Sequence, residues 1–228
     1  MRKLYPLLLF MCTSLPLAVQ SQTEIEVAGR WGEGACKAVA KRDGYVFSSN
    51  GMYLELYRNR PTGYEKMDSR IILPDHIEDI WIRGDLSKIF VACGEAGVHV
   101  VQFNIETGQF ESILHSYQTQ GFAQGLMEFG GSLYVAEGDE GITLLQANSN
   151  GTLTYRGTRN IAGYARDVWV LSNTLVLVAA DIEGVYTLDF TQYSSPLVMD
   201  SLAFDNLIGG YQARAYNVIV NNDTAFVA

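Results

Sequence analysis

Short apolar runs recur along the chain, and none of them keeps a helical period. Ile80-Trp81-Ile82, Val168-Trp169-Val170 and Val218-Ile219-Val220 are bounded by polar and glycine positions. Each precedes a second apolar run by a similar distance, and after the second runs of three copies come Val98-His99-Val100-Val101, Ile142-Thr143-Leu144-Leu145 and Val185-Tyr186-Thr187-Leu188. Weaker runs close the series, such as Phe110-Glu111-Ser112-Ile113-Leu114 and Pro196-Leu197-Val198-Met199. These segments are short, rich in β-branched and aromatic residues and punctuated by Gly, Asn and Asp, which predicts strands. Asp43-Gly44, Asn50-Gly51, Gly130-Gly131 and Asn150-Gly151 are dipeptides that supply the positive φ of tight turns. Beyond the N-terminal stretch no apolar stripe follows a helix face, so helix is expected to be nearly absent.

The runs belong to a repeat. Ile89-Phe90-Val91-Ala92-Cys93-Gly94-Glu95-Ala96-Gly97-Val98 aligns without a gap on Leu133 to Ile142 and on Val176 to Val185. Val46-Phe47-Ser48-Ser49-Asn50-Gly51 is a degenerate copy, and Ala225 to Ala228 begins another. The equivalent positions Phe47, Val91, Val135, Val178 and Val227 are 44, 44, 43 and 49 residues apart. That period suits one four-stranded sheet per repeat. A single such sheet cannot hide both faces, so the copies must pack on one another around an axis. The expected fold is all-β: a β-propeller of four-stranded antiparallel blades, four complete repeats and a partial fifth. The blades are placed at about 35–75, 76–120, 121–163, 164–210 and 211–228. Gly97, Gly141 and Gly184 precede the third strand of three copies, where a left-handed turn is expected.

Ala165-Arg166-Asp167-Val168-Trp169-Val170, followed by Val178-Ala179-Ala180-Asp181, Gly184-Val185, Leu188-Asp189 and Pro196, closely resembles the bacterial LVIVD-repeat propellers. Asp79-Ile80, Val91-Ala92 and Gly97-Val98 match the same pattern in the second copy. The resemblance runs from about Glu24 to the end. It implies a propeller that is exported or displayed on the cell surface, in a family without an established common activity. Two copies depart from the pattern: Gln124-Gly125-Leu126 and Lys37-Ala38-Val39 stand where Asp-Val belongs.

Met1-Arg2-Lys3, the uncharged stretch Leu4 to Val19 and polar Gln20-Ser21-Gln22 follow the order of a secretory signal peptide, with cleavage expected after Ser21. The mature propeller, 22–228, is then expected outside the cytoplasm, with no membrane insertion after cleavage. The alternative of a retained anchor is disfavoured by the short, proline-interrupted stretch. Of the 228 residues 48% are hydrophobic and 18% charged, which excludes a mainly disordered chain. The net charge of −9 becomes −11 once Arg2 and Lys3 are removed, and this excludes an electrostatic footprint for nucleic acid. The last repeat stops in mid-sheet, and Ile25 to Trp31 reads as the outermost strand of a unit whose other strands are missing. An incomplete ring, a piece of a longer protein, is therefore expected; a compact five-unit ring is the alternative.

The candidate ligand-binding set is Asp79, Arg166, Asp167 and Arg214, at the start of the first strand of different units. In a propeller that strand lines the central channel, so these side chains would meet at its mouth and hold an anionic or polyol ligand. The competing reading is structural, with each Asp capping a loop and each Arg tying blades together. The acidic turns Glu95, Asp139 with Glu140, and Asp181 with Glu183 are read as solvated. His76, His99 and His115 fall at different phases of the repeat and make no metal centre, and no cofactor is expected. Cys36 and Cys93 match no metal spacing; a disulfide and two separate buried thiols both remain open. Trp81 and Trp169 occupy matching columns and are read as packing between sheets. The functional expectation is a binding module for a protein, glycan or small ligand. The alternative is a lactonase-like hydrolase, because Asn148 to Thr154 and Asn104 to Gly108 resemble the inter-blade turns of lactonase propellers. Those enzymes use channel residues, some with a divalent metal that activates water.

Overall fold

The structure, a computed structural model, describes residues 33–204 and 213–228. The expected signal peptide and the strand expected over Ile25 to Trp31 lie outside them. Each repeat forms one antiparallel meander. The first sheet contains β1 (Val39–Arg42), β2 (Tyr45–Asn50), β3 (Tyr53–Arg60) and β4 (Gly63–Ile72). The second holds β5 (Asp79–Ile82), β6 (Lys88–Ala92), β7 (Val98–Asn104) and β8 (Gln109–Tyr117). The third comprises β9 (Gly125–Phe129), β10 (Ser132–Ala136), β11 (Ile142–Ala147) and β12 (Leu153–Arg159). The fourth has β13 (Asp167–Val170), β14 (Leu175–Ala179), β15 (Val185–Asp189) and β16 (Leu197–Leu202). β17 (Val218–Asn221) and β18 (Thr224–Val227) make a two-stranded fifth. The described residues contain no helix. Over the described residues the sheets form an incomplete β-propeller.

Strand alternation explains how the blades adhere. On β6, Ile89 and Val91 enter a core shared with the first blade through Phe47, Leu54 and Leu56. Phe90 and Ala92, one residue out of phase, enter the core shared with Leu133 and Val135 of the third blade. A strand buried on both faces therefore feeds two cores. Tyr134 and Ala136 continue the series toward Val176 and Val178 of the fourth blade, and Val185 packs with Ala215 and Val218 of the fifth. Each fully buried Phe or Leu contributes roughly 1.5–3 kcal/mol. Phe47 and Phe103 meet edge to face at 5.1 Å, as do Tyr134 and Phe190 at 5.2 Å, so these rings pack between sheets. Trp81 and Trp169 pack between sheets as their matching columns suggest. Every complete sheet carries a register shift between its third and fourth strands, the bulge that twists an outer strand away from the pleat.

Gly97, Gly141 and Gly184 have φ of 76°, 81° and 82°. There is a second reason for glycine there. A Cβ would lie 2.3, 2.2 and 2.1 Å from the carbonyl oxygens of Tyr117, Arg159 and Leu202, where the fourth strand ends. Three details differ from the reading of the sequence. In the first copy Phe47 faces the next blade as Phe90 does, and Gly51 takes the bridging place of Gly94, through Ile77 N–H to Gly51 O at 3.0 Å. The repeat step there is 43, one less than the alignment of Phe47 on Val91, because a one-residue slip would turn Phe47 to the wrong face. The turns at Asn104 to Gly108 and Asn148 to Thr154 join strands within a sheet, β7 to β8 and β11 to β12, rather than one blade to the next. Both cysteines are free, Cys93 buried but Cys36 exposed, with Cys36 Sγ 3.3 Å from Ser48 Oγ.

Candidate functional site

The innermost strands β1, β5, β9, β13 and β17 surround a cavity of about 310 Å³ whose wall includes Asp79, Trp81, Asp167, Trp169 and Asn217. One position per blade decides how these strands are joined. Down the column the residues are Ala38, Asp79, Gly125, Asp167 and Asn217, each opposite or just past the end of the second strand. Asp79 Oδ1 accepts the N–H of Ile80 on its own strand at 2.8 Å, and Oδ2 accepts the N–H of Leu126 on the next blade at 2.9 Å. Asp167 repeats this with Val168 at 2.8 Å and Val218 at 3.0 Å, and Oδ2 also takes Asn217 Nδ2 at 2.7 Å. Each aspartate thus ties two blades, and the blade between them needs none. Gly125 is required for another reason: a Cβ there would lie 2.8 Å from Arg166 O and 3.0 Å from Asp167 Oδ1. The departure from the repeat pattern at Gly125 is thus the small partner of Asp167.

Water can touch Asp79, yet protein surrounds it, and this burial pushes its carboxyl up to about 7. The N–H of Leu126 acts against the shift and nearby Asp167 adds to it. Asp167 is raised too, chiefly by burial, against the pull of the Val218 and Val168 N–H groups. Desolvation outweighs the hydrogen bonds at both.

Arg166 and Arg214 do not join the aspartates in the channel. Successive residues of a strand point to opposite faces, so Arg166 turns away from the side that Asp167 occupies. Both arginines instead meet Asp181, in the turn between β14 and β15. Arg166 places Nε, at 2.9 Å, and Nη2 on Asp181 Oδ2; Arg214 places Nη1 on Oδ1 at 3.1 Å. The Asp181 side chain is 7% exposed, that of Arg166 24% and that of Arg214 49%. The Arg166 guanidinium lies over Tyr164 at 4.9 Å and over Tyr216 at 4.6 Å.

The turn that carries Asp181 bridges to the following blade in each copy: Gly94 to Ala123, Gly138 to Ala165 and Asp181 to Ala215. At the first two bridges a left-handed glycine, φ 50° and 58°, lets an aromatic ring lie on the turn; a Cβ would come within 2.8 Å of Phe122 or Tyr164. At the third, Asp181 keeps the left-handed φ of 54° and Arg214 stands where the ring would be. Both members of the pair have changed together. Asp181 was read as a solvated turn; the available signal was its place in a glycine column with arginine in the aromatic column. Glu95 and Asp139 are exposed as expected, and Glu140 and Glu183 are partly so. Buried Glu137, whose carboxyl burial raises, accepts the N–H groups of Gln120 and Gly121 at 3.3 and 3.4 Å. No sequence signal marked it, since Cys93 and Ala180 fill its column. Among the described residues no three His, Cys, Asp or Glu side chains are grouped to hold a metal.

No family model matches the chain, and no curated protein does. Among solved structures it is similar to a functionally unknown protein from Desulfotomaculum acetoxidans, with a TM-score of 0.68 and 12% identity over 86% of this chain and 63% of that one. It is also similar to the computationally designed Ika8 protein, with a TM-score of 0.58 and 13% identity over 86% of this chain and 55% of that one. The chain thus spans less than two thirds of the length of either, and at these identities the likeness is one of fold: all-β, built of four-stranded antiparallel sheets.

Proposed function

We propose that this chain is an exported LVIVD-type repeat propeller that acts as a binding module, with its ligand or partner on the face where the β14–β15 turn and the start of the fifth blade meet. The observation that carries the reading is the joint replacement of glycine and aromatic ring by Asp181 and Arg214. A packing role is already met by Gly94 with Phe122 and by Gly138 with Tyr164. An aspartate with two arginines adds fixed charge beside solvent, where it can recognise a polar ligand. Asp79 and Asp167 support the site by joining the inner strands.

The test is a thermal-melt screen of neutral sugars, acidic sugars and small carboxylic acids, run beside a lactone-hydrolysis panel with and without chelator. Specific binding raises the melting temperature as ligand concentration passes Kd. A stabilising ligand whose effect is lost in Asp181→Gly/Arg214→Phe supports the reading. Chelator-sensitive lactone turnover that disappears in Asp79→Asn or Asp167→Asn overturns it in favour of a channel hydrolase.

A further inference from the structure

We propose that Arg214 and Tyr216 form a subsite for a ring that carries one carboxylate; this rests on the binding reading and names its ligand class. The two arginines of the cluster are not equivalent. Arg166 is consumed: two of its nitrogens bind Asp181 and its guanidinium lies over two tyrosine rings. Arg214 touches Asp181 through Nη1. Its Nε and Nη2 have no partner among the described residues, and its side chain is 49% exposed. Nε and Nη2 form one edge of the guanidinium fork, the edge that Arg166 uses on its own carboxylate. That edge matches the two oxygens of a planar carboxylate in parallel hydrogen bonds.

Charge accounting selects the same ligand. Two guanidinium groups face one carboxylate, so one positive charge is left over in a chain of net charge −9. Glu78, Glu95 and Asp139 lie close enough to Tyr164 to act on it electrostatically, so the surroundings of the cluster are acidic. Within the trio of Arg166, Arg214 and Asp181 one negative charge balances the surplus, and the surrounding carboxylates repel a phosphate dianion about twice as strongly as a monoanion. Tyr216 supplies the rest. It stands two residues from Arg214 in extended backbone, hence on the same side. It is 52% exposed, with Arg166 over its ring. An exposed ring of fixed position beside a charged fork is a stacking surface for the body of the ligand.

Hexuronates and aromatic acids share this chemistry, and the experiment separates them. Binding of glucuronate, benzoate, glucose and inorganic phosphate to the full chain is measured by saturation-transfer NMR and calorimetry. The expected result is binding of glucuronate or benzoate with at least tenfold preference over glucose and phosphate. Arg214→Gln should weaken it at least tenfold, Arg214→Lys nearly as much, and Tyr216→Ala severalfold. The CD spectrum and melting temperature of each variant establish that it is folded. Preference for phosphate, or binding indifferent to Arg214→Gln, overturns the subsite. Glucose or another neutral ligand bound on this face without need of the Arg214 fork overturns the ligand class and leaves the binding module standing. Lactone turnover through Asp79 or Asp167 overturns both.

Discussion

Two neighbouring junctions of this propeller solve the same packing problem in different ways. Between the third and fourth blades, Gly138 turns left-handed and Tyr164 lies on it; between the fourth and fifth, Asp181 turns left-handed and two arginines hold it. The backbone is the same, with paired N–H···O bonds of 3.1 and 2.9 Å at the first and of 3.1 and 2.8 Å at the second. What differs is the cost of each arrangement. Glycine under a ring needs only the absence of Cβ. A carboxylate that is nearly buried needs partners with charge, or its desolvation goes uncompensated. The difference teaches that the repeat tolerates an ionic junction only when both columns change together.

The largest expected effect comes from forcing the change at one column. Gly138→Asp places a Cβ within 2.8 Å of the Tyr164 ring and brings in a carboxylate with no arginine opposite. The loss should exceed about 3 kcal/mol, from the clash and the unpaired buried charge together. Urea denaturation midpoints measure it. Adding Tyr164→Arg should recover part of the loss, although Gln124 stands where Arg166 stands one blade later. A single Gly138→Asp variant as stable as the parent would show that the two junctions are interchangeable and that the comparison has no physical content.

The channel offers a second contrast, between blades that carry an aspartate and blades that carry Ala38 or Gly125. Asp79 sits near 7 in the folded chain and near the ordinary carboxyl value when unfolded. The folded state therefore holds more protons between those values, and this group's contribution to stability is full at acid pH and falls as pH rises toward 7. Asp167 and Glu137, both raised, act in the same direction. Buried His99, lowered by desolvation, acts in the opposite direction below its ordinary value. The stability difference between the parent and Asp79→Asn reports Asp79 together with its electrostatic effect on Asp167. It should move against the parent by up to about 1.4 kcal/mol per pH unit on going from pH 4.5 to 7. A difference flat with pH would mean that Asp79 titrates normally and that its two N–H bonds balance its burial.

These contrasts also mark how far the sequence could be read. The repeat columns, the meander of each blade and the glycines at 97, 141 and 184 followed from spacing, because strand period and positive φ act within a few residues. Of the four candidate residues Asp79 and Asp167 open the innermost strands β5 and β13, while Arg166 and Arg214 stand before β13 and β17 and belong to another group. Asp167 and Arg166 are adjacent in the chain and part at the pleat, and the residue that unites the arginines lies in a turn 15 positions past Arg166. Only the superposition of blades shows that Asp181 occupies a glycine's place. Gly125 likewise looked like decay of a motif, and its reason is a carboxylate from the following blade at 3.0 Å. Packing between blades sets such positions, and its partners are some forty residues away.

The smallest effect is the most discriminating. Asp181→Gly/Arg214→Phe rebuilds glycine under a ring, as at the neighbouring junctions, and leaves the half-buried Arg166 as the one group without its carboxylate. Each single change leaves a partner behind: Asp181→Gly strands two guanidinium groups, and Arg214→Phe leaves Asp181 to Arg166 and sets a ring against its Cβ. If the columns are coupled, the double variant should be more stable than the single losses predict when summed, by about 0.5–3 kcal/mol, and within about 1 kcal/mol of the parent. A thermodynamic cycle from four denaturation curves gives that value. Simple additivity would mean that the arginines contribute separately and that the likeness to Gly138 and Tyr164 is only one of position. A coupled and stable double variant would show that the fold has no need of the Asp181 and Arg214 charges, leaving them for whatever the exposed edge of Arg214 meets.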